Sequence, residues 1–194
     1  RRGLTKAAMA EALGVTARAV QNYEADGAPR DRAQALAGVL RVREGFFDLP
    51  ALASIDSEQG FFRARRRASA TQLTSARAAA SIGREAYEWI AARFQLPAVD
   101  VPDLDGMSGA EAALTLRAVW GRNEGPLPNL VQLAESHGVR VMSLPPGPDV
   151  VDAFSAWLDG VPYVFLSTSK TAERSRFDLA HELGMTVLVE THTR

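Results

Sequence analysis

Apolar positions along this chain follow a helical period for most of its length and a strand period in one late stretch. In residues 4–24, Ala8 (or Met9) and Leu13 form the apolar side of a short helix, and a second helix runs to about Glu24. Thr5 and Thr16 stand where helix caps belong. Gly14 can take positive φ and end the first helix, and Val15 packs in the turn. Ala28-Pro29-Arg30 closes this pair. Residues 31–43 read as a further helix with Ala33, Leu36, Ala37 and Leu40 on one face. Phe46, Phe47, Leu49 and Pro50 look like docking residues at a boundary, and the polar run Ser54 to Gly60 reads as a hinge.

Residues 61–94 form one long Ala/Arg-rich helical stretch. Phe62, Ala70, Leu73, Ala80, Tyr87 and Ile90 make its expected stripe, with Gly83 a weak point. Leu96-Pro97 stops it, and residues 97–106, rich in Pro and Asp, read as a linker. A helix over 109–121 carries Ala113, Leu116, Val119 and Trp120, and another over 128–137 ends at Gly138. The period then changes to two. Residues 139–144, 153–158 and 161–166 read as strands, the last two joined at Asp159-Gly160, a strong hairpin signal. Pro145 to Pro148 is a rigid turn. Ser169 or Thr171 caps a last helix, on which Phe177, Ala180, Leu183, Gly184 and Val187 form the expected buried stripe and His181 and Glu182 its edge. The pattern predicts an α+β, mainly helical chain: a helical domain over 1–50, a basic helical linker over 51–102 and a second domain over 103–194 with a small sheet.

Composition narrows the class. The chain has 194 residues, 46% of them hydrophobic, enough for one large or two small domains. It has no Cys, so disulfides, Cys zinc sites and Cys nucleophiles are excluded and a cytoplasmic protein is expected. No apolar run approaches the ~20 residues that span a bilayer, so no membrane partner is expected. Arg1-Arg2-Gly3 lacks a Met and suggests a start inside a longer chain. The net charge of -1 hides an asymmetry. Residues 61–94 carry seven Arg against two Glu, whereas residues 95–194 carry seven basic and thirteen acidic side chains. Arg63, Arg65, Arg66 and Arg67 would suit DNA phosphates, or equally a solvated face or a dimer contact.

Two short helices joined by a Gly-containing turn are the helix-turn-helix unit. Residues 4–24 read L-T-x-x-x-x-A-x-x-L-G-V-T-x-x-x-V-x-x-Y-E, which resembles the Xre/Cro repressor-type family. Its buried positions correspond to Ala10, Leu13, Val15, Val20 and Tyr23. If the second helix enters the major groove, Ala17, Arg18, Gln21 and Asn22 face the bases. Arg pairs with guanine, and Gln or Asn with adenine. Lys6 and Thr16 suit phosphates, which position the protein without reading sequence. The partner implied is double-stranded DNA.

The second chemical signal is Arg176-Phe177-Asp178-Leu179-Ala180-His181-Glu182-Leu183-Gly184-Met185. The zinc-helix pattern HExxH needs two His one turn apart, both facing one Zn²⁺, with the Glu beside the first polarising the bound water. His181 and Glu182 are present, but Met185 stands at the second His position, and a thioether is a soft, weak ligand for zinc. R-F-D-L-A-H-E-L-G closely resembles the active helix of the ImmA/IrrE family of metallopeptidase-like proteins, approximately R-F-T-L-A-H-E-L-G-H. The resemblance covers roughly residues 61–190, including the order helix, strand, hairpin, active helix. It implies a zincin-like domain with His181 as a vestigial metal ligand and Glu182 as the catalytic base, were the site active. The family's third, acidic ligand comes from a helix further downstream. His192 is a substitute in sight, but it misses the long zincin spacing.

Other candidates have bland readings. His137, at a helix end, complements the dipole. Trp157 and Tyr163 suit core packing or a groove, and Arg174 and Arg176 a surface ion network around Glu182. The resulting expectation is a DNA-binding transcriptional regulator, of phage or toxin–antitoxin type. Its second domain has lost a zinc ligand and senses a signal, dimerises or binds a protein partner. No cofactor is expected unless other residues complete a zinc site. The rival is an active zinc endopeptidase cleaving a repressor, and a third reading is a plain oligomeric scaffold.

Overall fold

The computed structural model describes residues 3–50, 52, 69–122, 125–144 and 151–188. The chain divides into a smaller compact unit, Arg2–Leu52, and a larger one that holds Ala53–Arg194.

In the smaller unit, α1 (Lys6–Leu13) and α2 (Ala17–Asp26) are set by their caps. Thr5 Oγ1 accepts from the Ala8 N–H at 3.1 Å and Thr16 Oγ1 from the Ala19 N–H at 3.2 Å. Gly14, at φ 64, ends α1 and lets the Val15 N–H return to the Ala10 carbonyl at 2.9 Å. Ala10, Val20, Leu36 and Ala37 are buried, while Leu13, Val15 and Tyr23 are half-buried. The helix expected over 31–43 is a 3-10 turn, Arg30–Arg32, followed by α3 (Ala33–Leu40). Arg41 ends α3 in the left-handed region, at φ 50. A cavity of about 580 Å³, lined by Met9, Leu13, Val20, Leu36 and Phe47 among others, opens in this thin core.

The larger unit is built on a three-stranded sheet of order β1-β3-β2, with β1 Arg140–Leu144, β2 Ala153–Leu158 and β3 Val161–Ser167. β1 runs parallel to β3, and β2 antiparallel to it. Asp159 (φ 50) and Gly160 (φ 73) are both left-handed, as a two-residue hairpin turn of this hand requires. Successive strand side chains point to opposite faces. Phe154, Ala156, Leu158, Tyr163 and Phe165 therefore pack on α4 (Ala70–Ala91). Val164 goes to the other face, into the core formed with α5 (Gly109–Val119), α6 (Leu130–Ser136) and α7 (Ala172–Val187). The stretch expected as a linker thus supplies a core helix. Mixed α/β layering follows.

Two expected stripes are shifted. On α4 the buried residues are Ser75, Ala76, Ala80 and Gly83, while Ala70 is exposed and Leu73, Tyr87 and Ile90 are half-buried. Small residues win because the helix lies close to aromatic rings. A Cβ on Gly83 would stand 2.6 Å from Met142 Sδ and 2.8 Å from Phe165 Cε1. Gly83 is a contact point inside an unbroken helix, not a weak point. On α5, Ala112, Leu116 and Trp120 are buried, and Ala113 and Val119 are exposed. The Ser108–Glu111 capping box sets the start of that helix.

Residues 97–104 form a strap rather than a loose linker. The Pro97 carbonyl accepts from Arg140, and the Asp100 N–H donates to the His137 carbonyl at 2.9 Å. The Asp100 carboxylate meets His137 Nδ1 at 2.9 Å, and its carbonyl accepts from Trp120 Nε1 at 2.9 Å. The His137 ring stacks on Trp120 with centroids 4.5 Å apart. Gly138 gives the strap room: a Cβ there would meet the Ala98 carbonyl oxygen at 2.4 Å. Finally the Leu104 N–H donates to the Val187 carbonyl at 2.8 Å. Phe62, Arg63, Arg65, Arg66, Arg67, the Ser54–Gly60 hinge, the Pro145–Pro148 turn and His192 lie outside the described residues. Among the described residues no helix is long and apolar enough to cross a membrane.

Candidate functional site

α7 begins at the Thr171 cap, whose Oγ1 accepts from the Arg174 N–H at 3.3 Å. Its buried side is Asp178, Leu179, Leu183, Thr186 and Val187. Of the stripe expected through Phe177, Ala180, Leu183, Gly184 and Val187, Leu183 and Val187 are buried and Gly184 half-buried, while Phe177 and Ala180 are not. Phe177 is 62% exposed, with the Arg174 guanidinium 5.2 Å from its ring centre, and Ala180 is exposed. The sequence carries two apolar stripes on this helix. Leu179, with Leu183 and Val187, fills the core beside Val164.

The two site residues differ in exposure. His181 is exposed, whereas Glu182 is half-buried and faces β2. Ser155 Oγ donates to Glu182 Oε2 at 2.7 Å. Burial pushes the Glu182 carboxyl above the usual carboxylate range, and the Ser155 hydrogen bond and nearby His181 oppose that shift. One turn earlier, Asp178 Oδ1 accepts from Arg174 Nε at 3.1 Å, while Oδ2 is buried without a partner. One turn later, Thr186 Oγ1 donates to the Glu182 carbonyl at 2.8 Å, and the Thr186 carbonyl accepts from Trp157 Nε1 at 3.1 Å. Arg176 does not join Glu182: it donates to the carbonyls of Leu127 and Pro128, each at 2.8 Å. Tyr163 is a core residue. Ser155 and Asp178 escaped the sequence reading. The signal for Ser155 was its place at a polar position of an alternating strand, on the side opposite Phe154 and Ala156.

In the smaller unit, Ala17, Arg18, Gln21 and Asn22 are all exposed on α2, opposite buried Val20. Lys6 Nζ lies 3.1 Å from Glu24 Oε2, tying α1 to α2, and the Thr16 hydroxyl serves as the α2 cap.

α7, which bears His181 and Glu182, thus lies on a small mixed sheet beside the β2–β3 hairpin. Residues 134–193 match the family model of the IrrE N-terminal-like domain, Peptidase_M78. No curated protein and no solved structure matches the chain.

Zinc, which this family implies, takes three or four N, S or carboxylate donors. α7 offers the His181 imidazole with the soft Met185 thioether one turn on. Among the described residues no group of three His, Cys, Asp or Glu side chains is placed to hold a metal ion. This donor set does not fit zinc.

Proposed function

We propose that this protein is a DNA-binding transcriptional regulator, with the metallopeptidase-related unit serving to sense a signal or bind a protein partner or second copy. The observation that carries the reading is the outer face of α2. Arg18, Gln21 and Asn22 project from a helix fixed by the Thr16 cap and the left-handed Gly14 turn. That placement suits base readout in the major groove. The test is a mobility shift on DNA upstream of the protein's own gene. Arg18→Ala should cost roughly 1–3 kcal/mol at the specific site. Lys6→Ala should weaken all sequences alike. Neutralising Arg63, Arg65, Arg66 and Arg67 together should flatten the slope of log affinity against log salt by about 3–4 units if they touch phosphates. Absence of salt-dependent affinity for any such DNA in the folded protein would end this reading.

The second reading, an active zinc endopeptidase, draws on the family match across His181 and Glu182. Stoichiometric zinc together with cleavage of a partner repressor would establish it.

A further inference from the structure

We infer that Glu182 acts in this chain as a tie between α7 and strand β2, in place of a base beside a bound metal. Adjacent residues on a helix point about 100° apart. Packing Leu179, Leu183 and Val187 into the core therefore turns Glu182 toward the sheet and leaves His181 in solvent. A Glu182 carboxylate oxygen accepts from Ser155 Oγ, 2.7 Å away on the outer strand of the order β1-β3-β2.

The bond is one rung of a continuous seam. Ser155 and Trp157 lie two apart on β2 and so share one face. They reach Glu182 and the Thr186 carbonyl, which lie one turn apart on α7. Thr186 closes the ladder by donating to the Glu182 carbonyl. A charge-assisted O–H···O⁻ bond of this length is among the stronger side-chain contacts, and it satisfies a carboxylate that burial would otherwise penalise. The Met185 thioether completes the picture, since it removes the second donor a zinc helix needs. The inference does not depend on DNA binding.

The test uses the full chain. Thermal unfolding is followed for wild type, Ser155→Ala, Ser155→Thr, Glu182→Gln, His181→Ala and the Ser155→Ala/Glu182→Gln pair. Zn²⁺ binding is read by competition with a chromogenic chelator. Ser155→Ala should lower Tm by about 2–4 °C, as loss of one such bond does in a chain of this size. Ser155→Thr should restore most of it, and the double variant should fall little below the lower single one. His181→Ala should stay within about 1 °C of wild type. Wild type should take up less than about a tenth of an equivalent of zinc and gain no Tm from it. One tight equivalent of zinc lost in His181→Ala, or a Ser155→Ala protein with unchanged Tm, overturns the inference. If Glu182→Gln fails to fold, the Ser155 variants and the zinc titration still decide.

Discussion

α4 meets one face of the sheet through alanines and a glycine, close enough that Gly83 touches Met142 and Phe165. α7 meets the other through leucines flanked by a line of polar groups, from Asp178 to Thr186. On the α4 side the Phe154 and Phe165 rings stack 4.6 Å apart, and adhesion is dispersion and exclusion of water. On the α7 side orientation is added by directional bonds. A helix can thus keep a motif in sequence while its packing reassigns the motif's side chains.

The largest expected effect breaks the apolar face. Phe165→Ala should cost about 3–5 kcal/mol in urea unfolding, since the ring is almost fully buried. Gly83→Ala tests the close approach itself. Overpacking costs about 1–3 kcal/mol, and roughly 1 kcal/mol returns through helix propensity. A net loss is expected, and a gain in stability would show that Met142 yields freely. On the polar face Trp157→Phe should cost about 1 kcal/mol, the worth of one hydrogen bond. Asp178→Asn should change stability by less than about 1 kcal/mol. Its carboxylate makes one half-exposed pair with Arg174 and leaves its other oxygen without a partner.

A pH experiment sharpens the contrast at little energetic cost. Burial, helped by nearby Glu135, pushes the Tyr87 phenol up to about 12. A raised folded-state value favours the neutral form in the fold. This contribution is therefore complete below the unfolded value near 10 and is lost as pH rises from about 10 to about 12. Burial raises the Tyr163 phenol as well, so tyrosinate absorbance should show a late-titrating component, and the part of it due to Tyr87 should vanish in Tyr87→Phe.

Much of the fold was legible where local signals agree. Thr5, Gly14 and Thr16 fixed α1 and α2, and Asp159-Gly160 with its flanking alternation fixed the hairpin. Residues 140–144, 153–158 and 161–167 fall within a residue or so of the expected strands. Stripes on α4, α5 and α7 were harder, because each helix carries apolar residues on more than one side. Which side is buried depends on partners distant in sequence. The His181–Glu182 motif was visible, but its partner Ser155 is 27 positions from Glu182, and no local pattern links them. Period alone also hid the strap, since 97–106 has the Pro and Asp content of a linker while Asp100 is bonded to His137, 37 positions away.

That strap sets an order of assembly. The β2–β3 hairpin closes on itself through a two-residue turn, whereas the strap joins segments far apart along the chain, and such contacts cost more loop entropy to close. The Leu104 to Val187 bond spans most of the larger unit, from the start of the α5 region to the last turn of α7. We expect it to form late and open early. Native-state hydrogen exchange at the Leu104 amide should then report a sub-global opening that frees the end of α7 while the hairpin amides stay protected. Exchange of both sets at one common rate would show instead that the larger unit opens as a single block.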